Sequence, residues 1–187
     1  MKLEHVSLSF EGQRVISDLT YEFGPGATAI LGPSGVGKST LVRLLIGLAR
    51  PDTGRVYGAS GRLGVVFQED RLIERLNAPD NLTFVTGSGQ RAQARELLTR
   101  LGLGDELHKP VSEYSGGMKR RVAIARSLIV RPDVLIMDEP FRGLDAETRA
   151  VTAGVVRAEA KGQLVFVTHD PYEVELLGAQ QVLRLGA

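Results

Sequence analysis

The sequence predicts an α/β fold with a mostly parallel sheet, N-terminal antiparallel strands and a small inserted helical subdomain. Short apolar runs recur along the chain, as expected of strands that are buried on both faces of a parallel sheet. Stretches with apolar residues at helical spacing separate several of these runs. Because 43% of its 187 residues are hydrophobic, the chain has enough apolar material for a single domain over residues 1–187.

The first two strands are indicated by alternating apolar and polar residues, which is the period of a half-buried strand. Residues 6–10 and 19–23 alternate in this way, and Glu11 and Gly12 predict a turn after the first of them. We therefore expect these strands to pair in antiparallel fashion.

The later strands are continuous apolar runs and should be buried on both faces of the parallel sheet. Between them, apolar residues at helical spacing predict helices at 41–48 and 122–129. The predicted strands are 27–31, 63–67, 134–137, 164–167 and 182–185.

Residues 69–114 interrupt this rhythm, because they lack a clear buried strand. They contain an amphipathic run at 91–101, which predicts a helix. We expect a helical subdomain at 69–114, inserted between two parts of one core, 1–68 and 115–187.

Composition excludes several classes of function. The net charge is +1, from 23 basic and 22 acidic residues, so the chain lacks the excess of positive charge that is typical of nucleic-acid-binding proteins. It has no cysteine, which excludes disulfides, thiolate metal sites and thiol nucleophiles. No apolar run approaches the roughly 20 residues of a membrane span, and the first residues do not resemble a signal peptide. A cytoplasmic location is expected.

A glycine-rich loop joins the first buried strand to a helix and matches the pattern G-x-x-x-x-G-K-[S/T] in the context it requires. Its backbone N–H groups can converge on an anion, and the dipole of the following helix strengthens this effect. Lys38 would reach the β and γ phosphates of a nucleotide, and Ser39 would ligate Mg²⁺. The alternative is an ordinary glycine-rich turn, but such a turn would carry Lys38 and Ser39 between a buried strand and a helix only by accident. The loop is Gly32, Pro33, Ser34, Gly35, Val36, Gly37, Lys38, Ser39 and Thr40.

The run 134–137 delivers two carboxylates to the end of a buried strand, where ligands of open α/β sheets bind. Asp138 should hold Mg²⁺, and Glu139 can polarise the water that attacks the γ-phosphate. Without the phosphate loop, a surface turn before Pro140 would be a serious alternative. Together the two motifs indicate a P-loop NTPase core, which kinases, GTPases, helicases and motors share.

A third motif narrows the family. Residues 114–126 read Tyr-Ser-Gly-Gly-Met followed by a basic helix, and resemble the signature segment of ABC ATPases, commonly L-S-G-G-Q. Ser115, Gly116 and Gly117 present a hydroxyl and N–H groups at a helix start, a second anion site that the first loop does not need. Alone, this segment would be typical of an N-cap, but its place shortly before Asp138 favours the family. A second half-site suggests a second copy of the chain.

The resemblance assigns roles to four further residues. Gln68 matches the family glutamine that contacts Mg²⁺ and the attacking water, and Asp145 matches the aspartate that reaches across the dimer. His169 matches the histidine that contacts the γ-phosphate, although a lone histidine after a strand is more often structural. Phe10 stands where the family stacks an aromatic ring on adenine, and a plain core role is its alternative.

The sequence departs from the family pattern in three places. Met118 replaces the usual signature glutamine, and Tyr114 replaces the usual leucine, which we expect to alter interface packing more than activity. The helical region 69–114 is also shorter than is typical of importers, which compresses the surface available to a permease.

The resemblance implies an ATP-hydrolysing subunit of an ABC transporter, with ATP and Mg²⁺ as cofactors. Its partners would be a second copy of itself in a head-to-tail dimer around two ATP, an integral membrane permease and a solute-binding protein. Residues 138–145 resemble importers of small anions, sulfonates or vitamin precursors. The alternative is an ABC ATPase of a cofactor-assembly or cell-division membrane complex, and co-purification of a permease would separate the two.

Overall fold

The computed structural model describes residues 1–10 and 12–186, with the exception of the Phe10 side chain. In the described residues, strands dominate the first part of the chain and alternate with helices in the last part. The strands are β1 (Lys2–Phe10), β2 (Gln13–Glu22), β3 (Ala27–Leu31), β4 (Thr53–Tyr57), β5 (Leu63–Val66), β6 (Val134–Asp138), β7 (Gln163–Val167) and β8 (Gln181–Arg184). The helices are α1 (Lys38–Leu45), α2 (Ala78–Thr86), α3 (Arg91–Arg100), α4 (Gly116–Ile129), α5 (Ala146–Glu159) and α6 (Pro171–Leu176).

The strands form two sheets. In the antiparallel sheet β1 lies between β2 and β4, which confirms the predicted pairing at the start of the chain. The other sheet has five parallel strands in the order β5-β6-β7-β3-β8, which confirms the predicted parallel core. Gly12 lies in the turn between β1 and β2, while Glu11 lies outside the described residues.

The prediction that all five parallel strands are buried on both faces is wrong for β5 and β8. Leu63 and Val65 are partly exposed, and Val182 is 40% exposed. The reason is topological, because β5 and β8 are the two edges of the sheet and each has a neighbour on one side only. The central strands β3 and β6 are buried at every position.

The parallel sheet separates two apolar clusters. Along β6, Leu135 and Met137 belong to one cluster and Val134 and Ile136 to the other, as the alternation of a strand requires. Helix α1 and the antiparallel sheet supply the second cluster, while α2, α3, α4 and α5 contribute to the first. The inserted helices α2 and α3 therefore share one apolar cluster with the sheet and do not form a separate core.

Three of the later helices begin at a capping side chain that is itself a predicted site residue or lies next to one. Ser115 accepts a hydrogen bond from the Met118 N–H at the start of α4, at 3.3 Å. Asp145 caps α5 and Asp170 caps α6 in the same manner. Such caps stabilise a helix start by about 1 kcal/mol, so these loops are held where the helices begin.

Candidate active site

The glycine-rich loop runs from the end of β3 to the start of α1 and closes on the Lys38 side chain. Lys38 is only 7% exposed, and its Nζ donates hydrogen bonds to the carbonyls of Gly32 and Pro33, both at 2.7 Å. The ammonium group is thus held inside the arc of the loop. Because the loop leads directly into α1, its N–H groups and the helix dipole act on the same space.

Gly35 and Gly37 give the loop its shape through left-handed φ angles. Gly35 has φ +80° and open space where a side chain would stand. Gly37 has φ +103°, and a Cβ there would lie 2.4 Å from the Val15 Cγ1 atom of β2. The loop therefore packs directly on the antiparallel sheet at Gly37, which leaves no room for a side chain.

Asp138 and Glu139 lie at the carboxyl end of β6, beside the loop. Asp138 is 5% exposed, and burial raises the pKa of its carboxyl group, while hydrogen bonding to Ser39 and the charges of Arg120 and Lys38 oppose the rise. Glu139 adopts φ +47°, a left-handed conformation that costs a non-glycine residue of order 1–3 kcal/mol. Its N–H donates to the Val167 carbonyl at 3.0 Å, which ties it to β7.

His169 follows β7 and is brought close to Glu139. Its Nδ1 atom lies 3.7 Å from Glu139 Oε1, and 75% of its side chain is exposed. The neighbouring Thr168 is buried, donates from its hydroxyl to Glu173 at 2.5 Å, and receives the Asp170 N–H at 3.0 Å. Asp170 in turn pairs with Arg149 of α5 at 2.7 Å. The imidazole of His169 is therefore exposed, while the residues on either side of it are held by hydrogen bonds and an ion pair.

One cavity of about 450 Å³ gathers most of the predicted residues of the nucleotide site. Gln13 and Val15 of β2 also line it, and sequence reasoning missed both. Their alternation within β2 indicated a strand and carried no sign of a ligand. The Phe10 side chain, predicted to stack on adenine, lies outside the described residues. The predicted residues that line the cavity are Ser34, Gly35, Gly37, Lys38, Ser39, Thr40, Gln68, Asp138 and Glu139.

A second cavity, of about 580 Å³, contains the predicted residues of the signature segment. Ser115, Gly116, Gly117 and Asp145 line it, and Gln68 is the predicted residue that lines both cavities. Of the predicted residues that the structure describes, those that line neither cavity are Gly32, Pro33, Val36 and His169. Within the described residues, the signature segment does not line the cavity of its own phosphate loop.

Asp145 has local partners in this second cavity. Its carboxylate accepts hydrogen bonds from the Thr148 N–H at 2.9 Å and from the Thr148 hydroxyl at 2.7 Å. These bonds lower the pKa of the Asp145 carboxyl group. The Asp145 side chain thus caps α5.

Tyr114 and Met118 occupy the positions where the signature departs from its common form. Tyr114 is 5% exposed and donates from its hydroxyl to the Glu106 carbonyl at 2.5 Å, and burial raises its pKa. Met118 is half-buried and packs against the apolar cluster of α2, α3 and α4. Tyr114 is therefore hydrogen-bonded within the inserted subdomain, and Met118 adds to the apolar cluster that this subdomain shares with the sheet.

Arg120 is a further residue near the site that the sequence did not single out. Its side chain is 4% exposed and contacts the strand ends that carry Gln68 and Glu139. Residues 119–121 belong to the basic helix that follows the signature, and nothing in the sequence distinguishes the buried arginine from Lys119 and Arg121.

Comparison with known proteins identifies close counterparts. Residues 16–142 match the family described as ABC transporter. The taurine import ATP-binding protein TauB of Pseudomonas aeruginosa (strain UCBPP-PA14) is 40% identical over 205 residues, which cover 98% of this chain and 78% of that protein. The aliphatic sulfonates import ATP-binding protein SsuB 1 of Rhodococcus jostii (strain RHA1) is 42% identical over 178 residues, which cover 90% and 72%.

A solved structure has the same fold. It is described as the dimeric structure of MJ0796, a bacterial ABC transporter cassette, and it superposes with a TM-score of 0.87 at 26% sequence identity. The match covers 98% of this chain and 93% of that one.

Proposed function

The chain belongs to the ABC transporter family and is an ATPase of the ATP-binding cassette type, and we propose that it powers the uptake of a small sulfonate. Two of its relatives are named for taurine and aliphatic sulfonate import. The observation that carries the proposed dimeric ATP site is the division of the predicted site residues between two cavities of one chain. A complete site then needs a second copy, as in the dimeric cassette of the same fold.

In the first cavity, we assign the phosphate contacts to the loop 32–40. The loop N–H groups and α1 would hold the phosphates, and Lys38 would turn its ammonium from the Gly32 and Pro33 carbonyls toward the β and γ phosphates. The adenine would extend toward Gln13, Val15 and the Phe10 position on the antiparallel sheet.

The same cavity fits Mg²⁺ as a metal bound together with phosphate. Ser39, Gln68 and Asp138 all line it and offer oxygen atoms, the ligand type that Mg²⁺ prefers. Among residues 1–10 and 12–186, no cluster of three or more His, Cys, Asp or Glu side chains could hold a metal alone. This agrees with Mg²⁺ sites in which one carboxylate and substrate phosphates share the metal. When bound, the ion would neutralise charge on the phosphate oxygens.

For hydrolysis, we assign the general base to Glu139. Its carboxylate stands at the end of β6, is mostly buried and lies next to the imidazole of His169. Gln68 would orient the attacking water, and Lys38 and His169 would stabilise the charge that develops on the γ-phosphate. The exposed position of His169 suits a group that completes its contacts at a dimer interface.

In the second cavity, Ser115, Gly116 and Gly117 would hold the γ-phosphate of the ATP bound by the other copy. The hydroxyl of Ser115 already accepts the Met118 N–H as a cap, so its own proton remains available to donate to phosphate. Asp145 would reach toward the partner from the start of α5. Each dimer would contain two such sites, head to tail.

The remaining partners follow from the transport role. None of the helices in the described part of the chain has the length and apolarity that a bilayer crossing requires. We propose that an integral membrane permease and a solute-binding protein complete the importer, and that the chain sits on the cytoplasmic face of the membrane. The helical subdomain 69–114 of the single domain 1–187 would face the permease, and we expect no nucleic-acid partner.

The test of the catalytic assignment is Glu139→Gln in the full chain. This variant should bind ATP, accumulate as an ATP-bound dimer on size-exclusion chromatography and release phosphate at least about 100-fold more slowly, the scale expected for loss of a general base. The control is Glu175→Gln, since Glu175 is exposed on α6, away from both cavities. Undiminished hydrolysis by Glu139→Gln would refute the assignment.

The transport assignment needs the native complex. A tagged chain, isolated from membranes of its own cells, should bring down a polytopic permease. In that complex, taurine or an alkanesulfonate with the binding protein should stimulate hydrolysis. Recovery of a cofactor-assembly or cell-division complex instead would overturn the transport role and leave the ATPase intact.

A further inference from the structure

We propose that Arg120 is a positioning residue, which holds the Glu139 backbone in register with the signature helix α4 and thereby couples the two half-sites carried by one chain. The proposal rests on the proposed role of Glu139 as general base. Arg120 lies in the second turn of α4, the helix whose first residues form the second cavity. Its guanidinium contacts backbone carbonyls of residues that line the first cavity.

The contacts of Arg120 converge on the carboxyl end of β6. Its Nη2 donates to the Glu139 carbonyl at 2.7 Å and also to the Asp138 carbonyl. Its Nε donates to the Pro140 carbonyl at 3.0 Å. Three consecutive carbonyls are therefore bound by one side chain from α4.

A second set of contacts ties the same guanidinium to the end of β5. Nη1 donates to the Phe67 carbonyl at 2.5 Å and to the Asp70 carboxylate at 3.0 Å, and it lies 3.5 Å from the Gln68 carbonyl. A guanidinium offers five N–H donors in a rigid fork, so few other side chains could satisfy both strand ends at once. Since its side chain is 4% exposed, water does not substitute for these partners.

The backbone conformation of Glu139 explains why these contacts of Arg120 are needed. Its φ of +47° is left-handed and strained for a residue with a side chain. Such a conformation persists only where the surroundings determine it on several sides. Here the Glu139 N–H is held by the Val167 carbonyl at 3.0 Å, and its carbonyl is held by Arg120.

The consequence is a rigid link between the two cavities. Ser115 to Gly117 begin the helix that carries Arg120, so a shift of this helix start is transmitted to the Glu139 carbonyl through one buried side chain. When the γ-phosphate of the ATP bound by the other copy docks at the start of α4, the Glu139 carboxylate of the chain that carries this α4 is repositioned. Hydrolysis at one site would thereby sense occupancy of the other.

The test compares Arg120→Lys and Arg120→Gln with the wild-type full chain in Mg-ATP hydrolysis. Lysine keeps the charge but lacks the fork, so kcat should fall about 10-fold, and glutamine should lower it about 100-fold. The KM for ATP should change less than about twofold, because no phosphate contact is lost. Unchanged kcat in both folded variants would overturn the proposal.

Two control variants separate positioning from a general loss of stability. Asp70→Asn removes the counter-ion of Arg120 but leaves the carbonyl contacts of Arg120 in place. It should therefore lower the melting temperature, while kcat per folded molecule should equal that of the wild type. Arg126→Lys perturbs another α4 arginine, which binds the Asp70 and Arg71 carbonyls without contact to β6. A loss of kcat in either control equal to that of Arg120→Lys would contradict the positioning role.

A double-mutant cycle with Glu139→Gln tests the route of the effect. If Arg120 acts through Glu139, Arg120→Lys should lower the residual rate of Glu139→Gln by less than about twofold. The same fold loss in both backgrounds would refute the proposal. If Glu139→Gln retains wild-type turnover, the proposed base is wrong. If it is inactive while Arg120→Lys is normal, the base stands and the positioning role fails.

A further variant covers the case in which the single substitutions do not fold. Arg120→Gln combined with Asp70→Asn removes both charges and leaves no unpaired ion in the interior. It should fold and still show the loss in kcat with little change in KM. Normal turnover by this folded double variant would overturn the proposal.

Discussion

Replacing Gly37 by alanine is expected to damage the phosphate loop in a way that the structure makes quantitative. Two costs add at this position. The φ of +103° lies in the left-handed region, which costs a residue with a side chain roughly 1–2 kcal/mol. The new Cβ would also lie 2.4 Å from the Val15 Cγ1 atom, an overlap of the kind that costs about 1–3 kcal/mol in packed interiors.

The expected loss in free energy of unfolding is therefore about 2–5 kcal/mol. For a domain of this size, each kcal/mol lowers the melting temperature by about 2–4 °C, so a decrease of roughly 4–20 °C should result. The assay is thermal unfolding of the full chain, followed by circular dichroism without nucleotide. Nucleotide is left out because its binding would add stability of its own.

Gly35→Ala is the matched control, because Gly35 has φ +80° in the same loop but nothing within 4 Å of the added Cβ. It should show only the conformational cost of roughly 1–2 kcal/mol. Gly37→Ala combined with Val15→Ala should recover the part due to overlap. If Gly37→Ala and Gly35→Ala lower the melting temperature equally, the steric reasoning is refuted.

Two further predictions concern buried polar groups. Burial raises the pKa of the Glu173 carboxyl group, so the folded chain keeps this proton to higher pH than the unfolded chain does. The free energy of unfolding should therefore fall as the pH rises from about 4.5 through the raised pKa. In urea unfolding, Glu173→Gln should make this dependence on pH shallower. An unchanged slope would contradict the assignment to Glu173. Tyr114→Phe removes the bond to the Glu106 carbonyl and should cost about 1 kcal/mol, seen as a melting temperature about 2–4 °C lower, whereas no change would mean that water satisfies that carbonyl.

The central strands could be predicted because burial on both faces leaves an uninterrupted apolar run, as in β3 and β6. β4 could not, since most of its residues are exposed and it has no alternation to reveal it. Helix α2 was missed within 69–114, because its short sequence begins with Ala-Pro and has a weak apolar stripe. The edge strands β5 and β8 look like central strands in sequence, and only the strand order reveals their exposure.

The chemistry of the phosphate loop was determined by the sequence alone, because its anion contacts come from consecutive backbone groups whose geometry depends on local glycines. The tertiary structure decided how residues far apart in the chain meet. Gln68 and His169 follow β5 and β7, and Asp138 is the last residue of β6. Parallel strands such as these have their carboxyl ends at one edge of the sheet. It also decided that Arg120 points inward, because burial of a guanidinium depends on carbonyls supplied by other strands, which no local pattern encodes.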